Sequence, residues 1–133
     1  MTMRRFGAIA AALVAALVFA VPQASALEIR PFDQAEFDAA QADGTPIIVD
    51  VHAEWCSTCR AMREAVTNLS SDPRFADLVV FNVDYDREKH IMRMFHVASR
   101  STFIAFQGET EIDRLYAVTD PAAIEAFLLT VVE

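Results

Sequence analysis

The sequence predicts an α/β domain in three layers, a central mixed sheet with helices on both faces. Three observations predict it. Two β-branched apolar runs, Ile47 to Val51 and Leu78 to Val83, are each followed by a helix-forming stretch; Thr102 to Tyr116 reads as a hairpin; and no repeat, low-complexity tract or linker interrupts the order. Short apolar runs bounded by turns are what strands buried on both faces require. Helices before and between parallel strands, then a hairpin and a closing helix, make one sheet covered on both sides.

Each element has its own local signal. Asp33 with Glu36 three residues on is a capping-box pattern, Phe32, Phe37 and Ala40 supply the apolar face, and Asp43-Gly44-Thr45-Pro46 stops that helix. Ile47 to Val51 follows as a strand, with the acid Asp50 inside it. From Cys56 to about Leu69 there is no Pro or Gly, and Met62, Ala65, Val66 and Leu69 recur at helical spacing. Ser70-Ser71-Asp72-Pro73 ends that helix in a turn, Leu78 to Val83 is the second strand, and Asp86 to Phe95 reads as a helix with Ile91, Met94 and Phe95 inward. Thr102 to Phe106 and Glu111 to Tyr116 form an antiparallel pair across Gln107-Gly108-Glu109-Thr110. Asp120-Pro121 then starts a last helix, with Pro at its first position and Ile124, Phe127, Leu128 and Val131 on one face.

The first residues read as an export signal, so the domains are 1–26, a signal peptide, and 27–133, the folded unit. Arg4 and Arg5 are the basic start, Phe6 to Val21 is apolar, and Ala24-Ser25-Ala26 offers a small-x-small cleavage pattern. The alternative is an uncleaved membrane anchor over residues 6–21, a stretch somewhat shorter than the roughly 20 residues that span a bilayer. Either reading places the domain in the periplasm or otherwise outside the cytosol. There disulfides persist, and thiols stay reduced only with a dedicated electron supply. The net charge of −8 falls by two further units once the leader is gone, because it carries Arg4 and Arg5 and no acid. Such a surface repels phosphate backbones and anionic headgroups, which excludes nucleic acid as a partner.

Cys56 and Cys59 are the only two cysteines, three apart where a strand runs into a helix. A disulfide across so short a loop removes little chain entropy, so the pair suits chemistry better than stapling. A Cys at the amino end of a helix has its thiolate favoured by unpaired amides and the helix dipole. Asp50 lies in an apolar strand, where desolvation raises a carboxyl pKa and fits it to accept and return a proton.

The segment Val49-Asp50-Val51-His52-Ala53-Glu54-Trp55-Cys56-Ser57-Thr58-Cys59-Arg60 resembles the strand and active-site turn of the thioredoxin-fold family. Asn82-Val83-Asp84 and Thr102-Phe103-Ile104-Ala105-Phe106 followed by Gly108-Glu109 extend the likeness over almost the whole of residues 27–133. The resemblance implies a thiol–disulfide oxidoreductase whose redox-active Cys56–Cys59 disulfide is its own centre, with no cofactor and no metal. Cys56 is then the attacking thiol, Cys59 the resolving one, and Asp50 the proton acceptor. Trp55, Arg100, Ser101 and Thr102 are the substrate-binding candidates. The implied partners are a protein disulfide or dithiol and a membrane electron donor, with the chain acting as a monomer. The length leaves no room for an inserted helical domain, so the resemblance points to a reductant.

Several residues depart from the family pattern. Ser101 stands where most members carry a cis-proline, and a cis bond before a residue other than Pro costs about 2.5 to 4 kcal/mol, so a trans Arg100-Ser101 bond is expected. Val80 falls where a buried Lys often partners the strand acid, Glu64 where the helix often has a kinking Pro, and His52 where an aromatic is usual. His52 is read as partly exposed with no catalytic part, and His90 and His96 as surface or packing residues. Ser57-Thr58 matches neither the Gly-Pro of reducing members nor the Pro-His of strong oxidants, which leaves the direction of electron flow open. A second function class is a copper-binding or delivery protein using Cys56, Cys59 and His52, since thiolates are soft ligands. A third is an exported interaction domain with an idle CxxC.

Overall fold

The computed structural model describes residues 26–133, and the signal peptide expected over 1–26 lies outside them except for its last residue. Five strands form one sheet in the order β1-β3-β2-β4-β5: β1 Glu28–Pro31, β2 Pro46–His52, β3 Val79–Asp84, β4 Thr102–Gln107 and β5 Thr110–Tyr116. Strands β1, β3 and β2 run parallel, whereas β4 is antiparallel to β2 and β5 to β4. Four α-helices cover it: α1 Gln34–Ala42, α2 Ser57–Asn68, α3 Lys89–Met94 and α4 Pro121–Val132. The expected three-layer α/β fold with a mixed sheet is thus the fold observed.

The caps are those the sequence signals. Asp33 accepts from the Glu36 amide at 3.0 Å to open α1, Asp120 accepts from the Ala123 amide at 3.0 Å to open α4, and Pro121 sits in its first turn. Gly44 ends the α1 loop at φ +71, a left-handed conformation that glycine adopts without Cβ strain.

Because successive side chains of a strand point to opposite faces, β2 divides the core in two. Ile47, Val49 and Val51 face α1 and α3, where the rings of Phe32, Phe37, Phe81, Phe95 and Phe106 meet at centroid separations of 5.3–5.9 Å. Ile48 faces α2 and α4 with Met62, Val66, Phe103, Ile124, Phe127 and Leu128. Asp50 and His52 continue that second face toward the carboxyl end of β2.

The structure adds one strand that the sequence patterns do not signal and corrects two expectations. Strand β1 carries no unit of the pattern that reveals strands, since none of its four residues is buried; it is an edge strand held by its parallel pairing to β3 and ends at Pro31, as an edge tolerates. Helix α3 begins at Lys89 rather than Asp86, because the Asp84 carboxylate accepts from the amides of Asp86 at 2.8 Å and Arg87 at 3.1 Å and folds that stretch into a turn. With that later start, Met92 is buried and Met94 is 43% exposed, so the inward methionine is the other one.

Candidate functional site

The carboxyl end of β2 is where the strand directions change: β3 leaves on one side and β4 arrives on the other. His52 pairs with Asp84 and Val51 with Thr102, so Tyr85 just after β3 and Ser101 just before β4 are both delivered beside the turn that leads into α2. The Tyr85 amide bonds the His52 carbonyl at 2.8 Å, and Tyr85 packs against Ala53, Cys56 and Cys59. This is the switch-point crevice at which open α/β sheets place their chemistry.

Cys56 is the N-cap of α2, and its Sγ accepts from the Cys59 amide at 3.2 Å. Both thiols are free, and both are buried, Cys56 5% and Cys59 2% exposed. Burial alone would raise the Cys56 thiol, but hydrogen bonds from the Cys59 side chain, Ser101, the Cys59 amide and Arg100 outweigh it and bring it down to about 7. Cys59 moves the opposite way, pushed up first by burial and then by its bond to Cys56. These hydrogen bonds make one thiol acidic enough to ionise near neutrality, while burial keeps its neighbour protonated.

Asp50 is 2% exposed on the face beneath the cysteines. Desolvation raises its carboxyl to about 7, Arg63 opposes that rise, and the Cys56 charge adds to it. The position left apolar by Val80 is compensated from α2: Arg63 Nε lies 3.8 Å from Asp50 Oδ2, and Arg63 Nη1 lies 3.8 Å from Glu54 Oε1. His52 is 7% exposed, contrary to the partly exposed reading, because it points to the α2 side of β2 like Asp50. Its Nδ1 lies 3.9 Å from Asp50 Oδ2 without a hydrogen bond, and its Nε2 lies 3.6 Å from Glu54 Oε1. His90, in α3, and His96, just after it, are both exposed.

Of the remaining candidates, Trp55 and Arg100 form the rim, and Ser101 and Thr102 are buried. Trp55 is 60% exposed, held by its Nε1 to Asp86 Oδ2 at 2.8 Å and edge-on to Tyr85. The Arg100 guanidinium lies 4.6 Å from the Trp55 ring, a cation–π contact that keeps its charge over the site. Ser101 is 4% exposed and its Oγ is 3.3 Å from Cys56 Sγ and 3.2 Å from Cys59 Sγ. None of the described peptide bonds is cis, so Arg100-Ser101 is trans, and Ser101 takes φ +57 instead. Its carbonyl accepts from the Ala117 amide at 2.8 Å. Thr102 is buried, and its hydroxyl donates to the Ser99 carbonyl at 3.0 Å, which fastens the loop.

An open groove of about 430 Å³ runs past both sulfurs between Glu54 and the Arg60 and Arg63 side of α2. Among the described residues no three His, Cys, Asp or Glu side chains converge as a metal-ligand set, and no helix is long and apolar enough to cross a membrane. Arg63 and Tyr85 were absent from the sequence candidates. Arg63 was legible in principle, because it follows Cys59 by four residues on the same helix face. Tyr85 needed the β2–β3 register.

The thioredoxin family profile matches residues 28–130. Over 69 residues the chain is 33% identical to thioredoxin H2-2 of Oryza sativa, covering 52% of this chain and 50% of that protein. It is 29% identical over 96 residues to the bifunctional thioredoxin reductase/thioredoxin of Mycobacterium leprae, covering 72% of this chain and 21% of the other. The chain therefore spans about half the length of the first relative and about a fifth of the second. Among solved structures, Trxlp from Edwardsiella tarda superposes with a TM-score of 0.74 at 37% identity, over 76% of this chain and 98% of that one. Oxidised thioredoxin from Plasmodium falciparum, at 22% identity and a TM-score of 0.65 over 80% of this chain and 99% of that one, shares the fold.

Proposed function

The chain belongs to the thioredoxin family, and we propose that it is an exported thiol–disulfide oxidoreductase that reduces protein disulfides through Cys56 and Cys59. The observation that carries this reading is the unequal pair: Cys56 caps α2 and is drawn down to about 7, while Cys59 behind it is pushed up. The Cys56 thiolate attacks a substrate disulfide, forming a mixed disulfide and releasing one substrate sulfur as a thiolate. Cys59 passes its proton toward Asp50, and its thiolate displaces the substrate from Cys56. The Cys56–Cys59 disulfide forms, two electrons pass to the substrate, and the second substrate thiolate takes up the returned proton.

Trp55 and Arg100 offer a flat, cationic rim on which a substrate segment rests, and Ser101 and Thr102 shape the loop opposite. The dithiol needs no cofactor, since the cysteines are the redox centre. Outside the cytosol its re-reduction falls to a membrane electron donor, and one compact domain with its own core suits a monomer. Export rests on the leader, with cleavage before Leu27.

Reduction of the interchain disulfides of insulin by the dithiol, with the reduction potential measured against glutathione, tests the reading. Turnover lost in Cys56→Ser and a potential well below that of strong oxidants, roughly −120 mV, are expected. A potential near that value would overturn the direction, and no turnover at all would overturn the activity. Sequencing the secreted protein's N-terminus, expected to start near Leu27, tests export.

A further inference from the structure

The family's proline ring has been replaced by a group that can do chemistry. Ser101 Oγ is within 3.3 Å of both sulfurs, is buried with them, and sits on a backbone at φ +57 whose carbonyl accepts from the Ala117 amide. A side chain other than glycine rarely keeps a left-handed backbone without compensation, and such residues gather at functional sites. The compensation here is a hydroxyl aimed between two thiols. We propose that the Ser101 hydroxyl is a catalytic hydrogen-bond donor that serves the two sulfurs in turn, Cys56 while it is the attacking thiolate and Cys59 after the mixed disulfide has formed.

The hydroxyl has one hydrogen to give and rotates freely about its C–O bond. In the dithiol state it donates to the Cys56 thiolate, and its lone pair faces the Cys59 thiol. Once Cys56 is bonded to substrate it carries no charge. The hydroxyl hydrogen then turns to Cys59, whose proton leaves toward Asp50, and Ser101 supports the second thiolate as it displaces the substrate. Ser101 keeps its own proton throughout, so electrons and protons balance as in the exchange itself. A proline at this place has no donor to offer.

This inference rests on the exchange reading, yet its test needs no turnover. Ser101→Gly removes the hydroxyl and suits the positive φ; Ser101→Ala removes the same hydroxyl and keeps Cβ. The other charged or titratable groups around the site stay in place in both variants: Asp50 and His52 from β2, Glu54 before α2, Arg60 and Arg63 on α2, Tyr85 after β3 and Arg100 before β4. Ultraviolet titration of the thiolate in the reduced proteins is expected to show the Cys56 midpoint rising by about one pH unit in both, the effect of losing a hydrogen bond to a charged group. Release of a pre-formed Cys56 adduct by Cys59 is expected to slow about tenfold. Unchanged midpoint and release, or a change in only one variant, would overturn the role of the hydroxyl and assign any effect to the backbone. Wild-type protein inert toward disulfides would overturn the exchange reading and leave the titration result standing.

Discussion

The two faces of β2 carry opposite chemistry on one seven-residue strand. Ile47, Val49 and Val51 pack into a dry aromatic layer under α1 and α3, while Ile48, Asp50 and His52 point the other way, and the last two are buried polar groups. One face follows the ordinary rule of an apolar core, and the other breaks it where the Cys56 charge acts on Asp50. Buried ionisable groups without full partners are destabilising, so their presence marks a place where function overrides packing. The aromatic face holds the sheet; the α2 face is shaped around two sulfurs and a proton acceptor.

The sharpest way to break the aromatic face is Phe81→Ala. Phe81 is fully buried and touches Phe32 and Phe37, so a loss of about 3–5 kcal/mol is expected in urea unfolding, with the Cys56 titration unmoved.

On the opposite face the sign reverses for Asp50→Asn. The Asp50 carboxyl is raised in the folded state from 3.8 to about 7, so between those values the folded protein binds more protons than the unfolded chain. The stability tied to that proton is fully present below 3.8 and is lost as pH rises through about 7. The neutral amide escapes that loss, and a gain of up to roughly 4 kcal/mol over wild type is expected at pH well above 7, shrinking as pH falls. Chemical denaturation across pH checks it, and slower release of a Cys56 adduct is expected in the same variant.

His52→Phe replaces an orphaned Nδ1 with an apolar ring, and about 1–3 kcal/mol of stabilisation is expected, read from thermal melting. Arg63→Ala is the smallest change. It removes the charge that holds Asp50 down, so the pH profile of adduct release is expected to shift upward while the melting temperature moves little.

Local patterns exposed whatever depends on side-chain spacing within one element. The α4 face of Ile124, Phe127, Leu128 and Val131, the Asp33 cap and the β-branched runs all reappear in place. Pairing partners are not encoded locally. Strand β1 is held by β3 rather than by burial of its own side chains, and α3 yields its first turn to the Asp84 carboxylate. The site divides the same way. Cys56, Cys59 and Asp50 were visible from composition and context, whereas Tyr85 and the burial of His52 required register and strand face. Ser101 was visible only as a missing proline; that its hydroxyl lies between both sulfurs depends on a left-handed backbone that no residue pattern announces.

The division of labour between the two thiols is tested most directly by trapping. Reduced Cys59→Ser and Cys56→Ser proteins are each mixed with insulin, and disulfide-linked adducts are followed over pH. Cys59→Ser is expected to accumulate an adduct on Cys56, at a rate that climbs as pH rises through about 7, while Cys56→Ser forms little. Equal trapping by both variants, or none by Cys59→Ser, would contradict Cys56 as the attacking thiolate.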